Sequence, residues 1–139
     1  MITEFHIKNF KSHADTLLSL KPLTFLTGLN GSGKTSIIQS LLLLRQSFKK
    51  QRLSEALILN DLLCNIGLGK DAIFQSSKDD YLQFGLKTDS LSYFWKFSTP
   101  ENKDFLPLLQ FNNDSNTNLN ELQLFNNYFQ YLMLYYLAK

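Results

Sequence analysis

Apolar and polar side chains alternate in short blocks over the first part of the chain. Within residues 2–10, the apolar Phe5 and Ile7 alternate with the polar His6 and Lys8. A period of two predicts a strand with one buried face. Residues 16–20 predict a second strand, and the apolar run at residues 23–27 has the length of a buried third strand. The pattern therefore predicts three strands before the first helix.

Residues 35–50 repeat apolar side chains at intervals of three and four, which predicts a helix. The unbroken run from Leu41 to Leu44 widens its apolar stripe to most sides, as in a helix buried between two layers. Its C-terminal end collects basic side chains: Arg45, Lys49, Lys50 and Arg52. Both a solvated helix end and a surface facing DNA fit this cluster.

Residues 80–98 contain two alternating runs separated by residues 88–90. This arrangement predicts an antiparallel β ribbon, which we expect to lie to one side of the main sheet. Trp95 falls on the apolar face of the ribbon. We therefore expect it in the core, in preference to a surface on which nucleic-acid bases stack.

The second half of the chain is less regular. We assign residues 1–98 to one lobe, residues 99–120 to an Asn-rich loop and residues 121–139 to an apolar tail element. The spacing of the tail fits a helix, whereas its aromatic content also suits a strand. Its apolar run is interrupted by polar residues and is shorter than the ~20 residues that cross a membrane, so we expect no membrane partner.

The segment Gly28–Thr35 fits the pattern G-x-x-x-x-G-K-[ST] of a phosphate-binding loop, and it lies between a predicted strand and a predicted helix. Glycines allow backbone N–H groups to point inward and hold an anion. Lys34 is the candidate catalytic residue because its ammonium would reach the phosphates, and the hydroxyl of Thr35 would bind Mg²⁺. A glycine turn that precedes a helix by chance is the alternative. The expected binding residues of this segment are Gly28, Asn30, Gly31, Ser32, Gly33, Lys34, Thr35 and Ser36.

Three further positions have an open interpretation. Asp61 follows the apolar run 56–59, which imitates a Walker B strand, although a helix or strand with a polar exit explains it as well. Gln75 ends the apolar pair 73–74 and is a candidate Mg²⁺ ligand, with a surface position as the alternative. The chain has one cysteine, Cys64, which excludes an intrachain disulfide and whose expected role is packing.

Length and composition limit the number of domains, the partners and the cellular compartment to be expected. The 139 residues are enough for one domain with a core, and the net charge of +2 is too small to indicate nucleic acid by itself. A single cysteine suits a reducing compartment. The mixed N-terminal residues 1–10 do not form a signal peptide, so we expect a cytoplasmic protein.

Residues 7–12, 22–28 and 30–36 together resemble the start of the ABC-type ATPase heads of SMC, RecF and OLD proteins. Residues 59–74 look more narrowly like bacterial AAA-family ATPases, several of which belong to anti-phage systems of the Septu and retron kind.

This resemblance implies ATP and Mg²⁺ at the phosphate loop. It also implies that Lys11 lies near the phosphates, for which a solvated loop lysine is the alternative, and that Phe10 approaches the adenine. The family's heads work as dimers or larger assemblies, and their closure controls DNA or a nuclease partner.

The chain departs from the family pattern because it has no signature motif, no Walker B Asp-Glu pair and no switch histidine; His6 and His13 lie before the phosphate loop. Hydrolysis needs groups that position water and stabilise charge, so we expect nucleotide binding with little turnover by this chain alone. The expected structure is an α/β P-loop NTPase fold: the N-terminal lobe of a longer ABC-like ATPase, with a mixed sheet in which residues 23–27 form the central strand. The alternative is a non-catalytic interaction module of a larger assembly. A small-molecule kinase fits less well, because two strands precede the loop.

Overall fold

A computed structural model describes residues 1–114 of the chain, which build an α/β structure around one six-stranded sheet. The strands follow the order β2-β1-β4-β5-β6-β3, and each pairs with its neighbours in antiparallel orientation. The elements in chain order are β1 Ile2–Phe10, β2 His13–Ser19, α1 Lys34–Lys49, β3 Ala56–Ile58, α2 Gly69–Ala72, β4 Tyr81–Thr88, β5 Ser92–Ser98 and β6 Phe105–Asn113.

The alternating segments form the strands that their pattern predicts. In β1 the side chains of Phe5 and Ile7 are fully buried, because every second residue faces the core. The ribbon of residues 80–98 is the β4–β5 hairpin, in which Phe84 lies opposite Trp95 and both are buried. Its expected place at one side of the sheet is wrong: β1 pairs with one edge of the hairpin and β6 with the other, so the hairpin is central.

Helix α1 forms as predicted and packs against β1 and β3. Leu43 and Leu44 are fully buried on adjacent faces, which agrees with its wide apolar surface. Phe10 at the end of β1 is also fully buried and meets the ring of Phe84 edge-on, at 5.4 Å between centroids and 77° between planes. Phe10 is thus enclosed in the core, and the expectation that it approaches the adenine is wrong.

Residues 23–27 form no strand, so the expected central strand is wrong, as is the expected mixed sheet within residues 1–114. The whole stretch of residues 21–32 is exposed, including Leu23 at 61% and Phe25 at 75%. A strand exists only where a neighbouring strand receives its N–H and C=O groups. Within residues 1–114 no strand lies beside this segment, so its apolar side chains remain in solvent.

A buried amide ties the C-terminal half of α1 to the loop that follows β3. The Nε2 of Gln46 donates hydrogen bonds to the carbonyls of Ile58, at 2.8 Å, and Cys64, at 3.2 Å. The N–H of Cys64 in turn donates to the Gln46 Oε1 at 3.0 Å. Burial raises the pKa of the Cys64 thiol, and the charge of Lys11 opposes part of this rise. Cys64 is 8% exposed, so its expected packing role is confirmed.

The segment assigned as an Asn-rich loop, residues 99–120, contains strand β6 at its centre, and the loop assignment is wrong for residues 105–113. β6 forms because it completes the free edge of β5 and because Phe111 packs on Trp95 at 5.5 Å between ring centroids. The last part of that loop and the apolar tail lie outside the described residues, so the proposed division of the chain remains a prediction. None of the helices within residues 1–114 is long and apolar enough to cross a membrane.

The different burial of two phenylalanines predicts that their replacement by alanine changes the stability of the protein to very different extents. Phe84→Ala removes a ring that is 0% exposed and should lower the free energy of unfolding by about 3–5 kcal/mol. Phe25→Ala removes a ring that is 75% exposed and should change it by less than about 0.5 kcal/mol. Urea unfolding followed by circular dichroism measures both variants. Comparable losses in the two would contradict the exposed position of residues 21–32.

Candidate functional site

The loop Gly28–Gly33 leads directly into α1, and the helix begins without a side-chain cap. Its first internal hydrogen bond runs from the N–H of Ile37 to the carbonyl of Gly33, at 3.2 Å. The N–H groups of residues 33–36 precede this bond and have no hydrogen-bond partner within the described part of the chain. An uncapped helix start with four such N–H groups is a favourable place for an anion, because the helix dipole adds positive potential there.

Gly33 is buried against the β1–β2 hairpin and has a φ of +90°, a conformation that favours glycine. A Cβ on Gly33 would lie 2.7 Å from the Oγ of Ser12 and 2.8 Å from the Nε2 of His13. Gly31 has a similar φ of +83°, but a Cβ there would meet nothing within 4 Å. Gly33 is therefore required both for its backbone conformation and for close packing, whereas Gly31 is required for conformation alone.

The side chain of Lys34 folds back over the loop. Its Nζ donates hydrogen bonds to the carbonyls of Gly28, at 2.5 Å, and Leu29, at 2.8 Å, and lies 3.4 Å from the Oγ of Ser32. These contacts hold the ammonium charge beside the helix start. A bound phosphate would offer charged oxygens to the same ammonium, and charge-assisted bonds are stronger than those to neutral carbonyls.

A cavity of about 450 Å³ opens above the helix start. It brings together seven of the residues predicted from the sequence, and Ser12 joins them; Gly28 and Ser32 contact Lys34 from the loop. The lining contains two lysines and no carboxylate, so the electrostatic potential in the cavity is positive and favours an anion. The lining residues are Lys11, Ser12, Asn30, Gly31, Gly33, Lys34, Thr35 and Ser36.

Gln75 lies in a neighbouring cavity of about 480 Å³, beside Lys70 and Asp71. Lys11 and Ser12 line both cavities, which therefore adjoin each other at these two residues. The structure therefore does not place Gln75 in the same cavity as Thr35, the other candidate Mg²⁺ ligand.

Asp61 is remote from the helix start. Its carboxylate is paired with the Lys50 Nζ at 3.7 Å, directly after the C-terminal end of α1. A helix of 16 residues is about 24 Å long, so Asp61 is paired at the end of α1 opposite to Thr35. The interpretation of residues 56–61 as a Walker B strand is therefore wrong.

The donor set can be tested for Mg²⁺. Within residues 1–114 no group of three or more His, Cys, Asp or Glu side chains could hold a metal ion. The exposed hydroxyl of Thr35 is the oxygen ligand at the first turn of α1 that the loop motif assigns to Mg²⁺. Mg²⁺ commonly keeps several waters and binds through substrate phosphates with few protein ligands. The residues present thus fit Mg²⁺ that arrives together with a phosphate ligand.

Sequence reasoning missed two residues of this site, Ser12 in the cavity lining and His13 behind the loop. His13 is 7% exposed, and its Nε2 lies 3.0 Å from the carbonyl of Gly33. The sequence carried one indication of it, because His13 directly follows Lys11 and Ser12, the first of which the family resemblance placed near the phosphates. Its contact with the loop depends on the hairpin turn, which brings Phe10 and His13 opposite each other.

The model of one protein family, described as an AAA ATPase domain, matches residues 1–136. The chain belongs to this family. The family is one of ATP-binding ATPases, which agrees with the anionic ligand that the cavity favours. The sequence-based prediction of an AAA-type ATPase lobe is confirmed at this level. A comparison with curated proteins gives no match.

Two glycines of this AAA ATPase domain provide a matched pair of variants. Gly31→Ala and Gly33→Ala both place a side chain at positive φ, which costs roughly 1–2 kcal/mol. Gly33→Ala also forces a contact with His13 and Ser12, so it should lower the free energy of unfolding by clearly more than Gly31→Ala does. Chemical denaturation of both variants measures the difference. Equal losses would show that Gly33 is not packed against the hairpin.

Proposed function

We propose that this chain is the ATP-binding lobe of an SMC/RecF/OLD-like ATPase. The triphosphate of ATP would bind on the N-terminal end of α1, between Lys34 and Lys11. The observation that carries this proposal is the group of four N–H donors at residues 33–36, which lack partners within residues 1–114 and line a basic cavity.

The chain's own residues have distinct tasks in this proposal. The loop of Gly28, Asn30, Gly31, Ser32 and Gly33 surrounds the phosphates with backbone N–H groups, and Ser36 extends this set into α1. Lys34 exchanges its carbonyl contacts for the β- and γ-phosphates and, as the catalytic residue, stabilises the charge that develops there. Lys11 adds a second positive charge from the hairpin.

Mg²⁺, when bound, would neutralise charge on the phosphate oxygens. Thr35 would hold it through its hydroxyl. Gln75 is a second proposed ligand, and it would have to reach this ion from the neighbouring cavity.

Hydrolysis would depend on groups from elsewhere. The cavity lining contains no carboxylate that could position water, and phosphoryl transfer requires a water-positioning residue in addition to the phosphate loop. We propose that Walker B and signature elements are supplied outside residues 1–114 or by a second subunit in a homodimer or larger assembly. The chain alone would then bind ATP and turn it over slowly.

The family resemblance of residues 7–36 and 59–74 supports a more specific proposal about the cellular role. The ATPase would act in the cytoplasm in a DNA-linked process such as repair or anti-phage defence, where nucleotide-driven closure controls DNA or a nuclease partner.

A second candidate function is a P-loop-fold interaction module that does not depend on ATP. One observation favours it: apolar side chains directly before and within the phosphate loop are exposed. Leu23 is 61% exposed and Leu29 is 85% exposed, and contiguous apolar surface often marks an interaction site.

Titration with a fluorescent ATP analogue, with and without Mg²⁺, distinguishes the two candidates. Lys34→Ala should weaken binding by about 10- to 100-fold, because it removes a charge-assisted contact worth about 1.5–3 kcal/mol. Lys78→Ala is the matched control, since Lys78 is an exposed lysine outside both cavities. It should bind like the wild-type chain.

Three results would contradict the proposal or its expectation of slow turnover. Equal binding by the wild-type chain and Lys34→Ala, or no binding at all, would favour the interaction module. Phosphate release at ordinary ATPase rates by the 139-residue chain alone would show that the catalytic groups are already present in it.

A further inference from the structure

His13 is a buried polar residue that connects the sheet to the phosphate loop. It is the first residue of β2, it is 7% exposed, and both of its ring nitrogens have a partner. Nδ1 lies 2.9 Å from the Oγ1 of Thr16, and Nε2 lies 3.0 Å from the carbonyl oxygen of Gly33. A buried imidazole needs both contacts, because an unpaired nitrogen would lose its hydration without compensation.

These two contacts determine the tautomer of the ring. A carbonyl oxygen only accepts hydrogen bonds, so the Nε2 of His13 must carry a proton and donate it to Gly33. The hydroxyl of Thr16 can donate its proton to Nδ1, which leaves the neutral ring protonated at Nε2. The carbonyl of Gly33 therefore selects the Nε2–H form of His13, and the hydroxyl of Thr16 satisfies the remaining ring nitrogen.

The carbonyl of Gly33 belongs to the peptide plane that also contains the N–H of Lys34. In a planar trans peptide the C=O and N–H bonds point in opposite directions, so fixing one fixes the other. The Gly33 carbonyl accepts bonds from His13 Nε2 and from the N–H of Ile37, at 3.2 Å, which occupies both of its lone pairs. The N–H of Lys34 is then held away from the helix, at the end that borders the cavity.

The support for His13 is rigid. His13 pairs with Phe10 across the hairpin turn, and Phe10 is fully buried against Phe84 in the centre of the sheet. The imidazole therefore has a fixed position relative to the core. By contrast, the loop before Gly33 is exposed along residues 21–32.

We propose that His13 is a positioning residue for the phosphate site: its Nε2–H holds the Gly33–Lys34 peptide plane so that the Lys34 amide is presented to the anion before a ligand binds. The effect of His13 on nucleotide affinity rests on the proposed ATP-binding function. Orienting a donor in advance removes the cost of ordering it upon binding.

The wild-type chain provides a first test that requires neither nucleotide nor substitution. Long-range ¹H–¹⁵N NMR spectra of the histidine rings, recorded where the rings are neutral, should show His13 as the Nε2–H tautomer. His6 serves as the internal reference ring. An Nδ1–H tautomer of His13 would overturn the proposal, because an unprotonated Nε2 cannot donate to Gly33.

Three variants test the effect on binding. His13→Gln keeps an N–H donor near the position of Nε2, His13→Met has similar length without a donor, and Thr16→Val removes the partner of Nδ1. His13→Met should bind the fluorescent ATP analogue roughly 3- to 10-fold more weakly than wild type, the loss expected for one hydrogen bond. His13→Gln should recover most of this loss. Thr16→Val should fall between them.

A purely structural role for His13 predicts a different outcome. In that case each variant would lose ATP affinity only as far as it loses thermal stability. The positioning role predicts instead that His13→Met shifts the ¹H–¹⁵N amide resonance of Lys34 in the ligand-free chain and that His13→Gln restores this resonance. Equal binding by His13→Met and wild type, or an equal loss in His13→Gln and His13→Met, would overturn the proposal. If His13→Met does not fold, the tautomer of the wild-type ring and the Lys34 amide resonance of His13→Gln still test the positioning role.

The same experiments separate this inference from the proposed function. If the wild-type chain does not bind ATP, the proposed function fails, but the tautomer and the Lys34 amide shift still report on the contact between His13 and Gly33. If the wild-type chain binds ATP and the histidine variants bind equally well, only the positioning role fails.

Discussion

The structure depends on how an uncapped helix is supported at its first turn. Helices usually satisfy their first N–H groups with a side chain from the preceding residue. Helix α1 instead follows a glycine, Gly33, and the hairpin contacts the carbonyl of this glycine, while its N–H and the next three have no partner within residues 1–114. The contact on the carbonyl keeps the helix start in place without a ligand. The N–H groups without a partner allow the same helix start to bind one.

The sheet supplies this support because its central strands are the best packed. β1 lies between β2 and β4, and its last residue, Phe10, is fully buried and meets the ring of Phe84 edge-on. The turn after Phe10 carries Lys11, which has a φ of +48° and whose N–H donates to the carbonyl of Ala72. The apolar core thus fixes the positions of the basic and polar groups at this turn, although the core itself does not contact a ligand.

The sequence was informative where structure is determined locally. Alternation predicted β1 and the β4–β5 hairpin, and the glycine loop followed by an apolar period predicted α1, because these features depend on neighbouring residues. It failed where a distant partner decides. Residues 23–27 have strand-like composition but lie beside no strand in residues 1–114, and His13 gains its role from a residue 20 positions away. Neither outcome can be deduced from local periodicity.

The three hydrogen bonds of the buried Gln46 side chain have a mechanical consequence for α1. They fasten the helix to the backbone of Ile58 and Cys64 at a point 12 residues, or about 18 Å, after its first residue Lys34. Sliding the helix along its axis would break all three at once, whereas tilting it about this point would leave them intact. A movement of α1 driven from its open end would therefore be a swing around this pivot, and it would have to break the hydrogen bond between His13 and the carbonyl of Gly33.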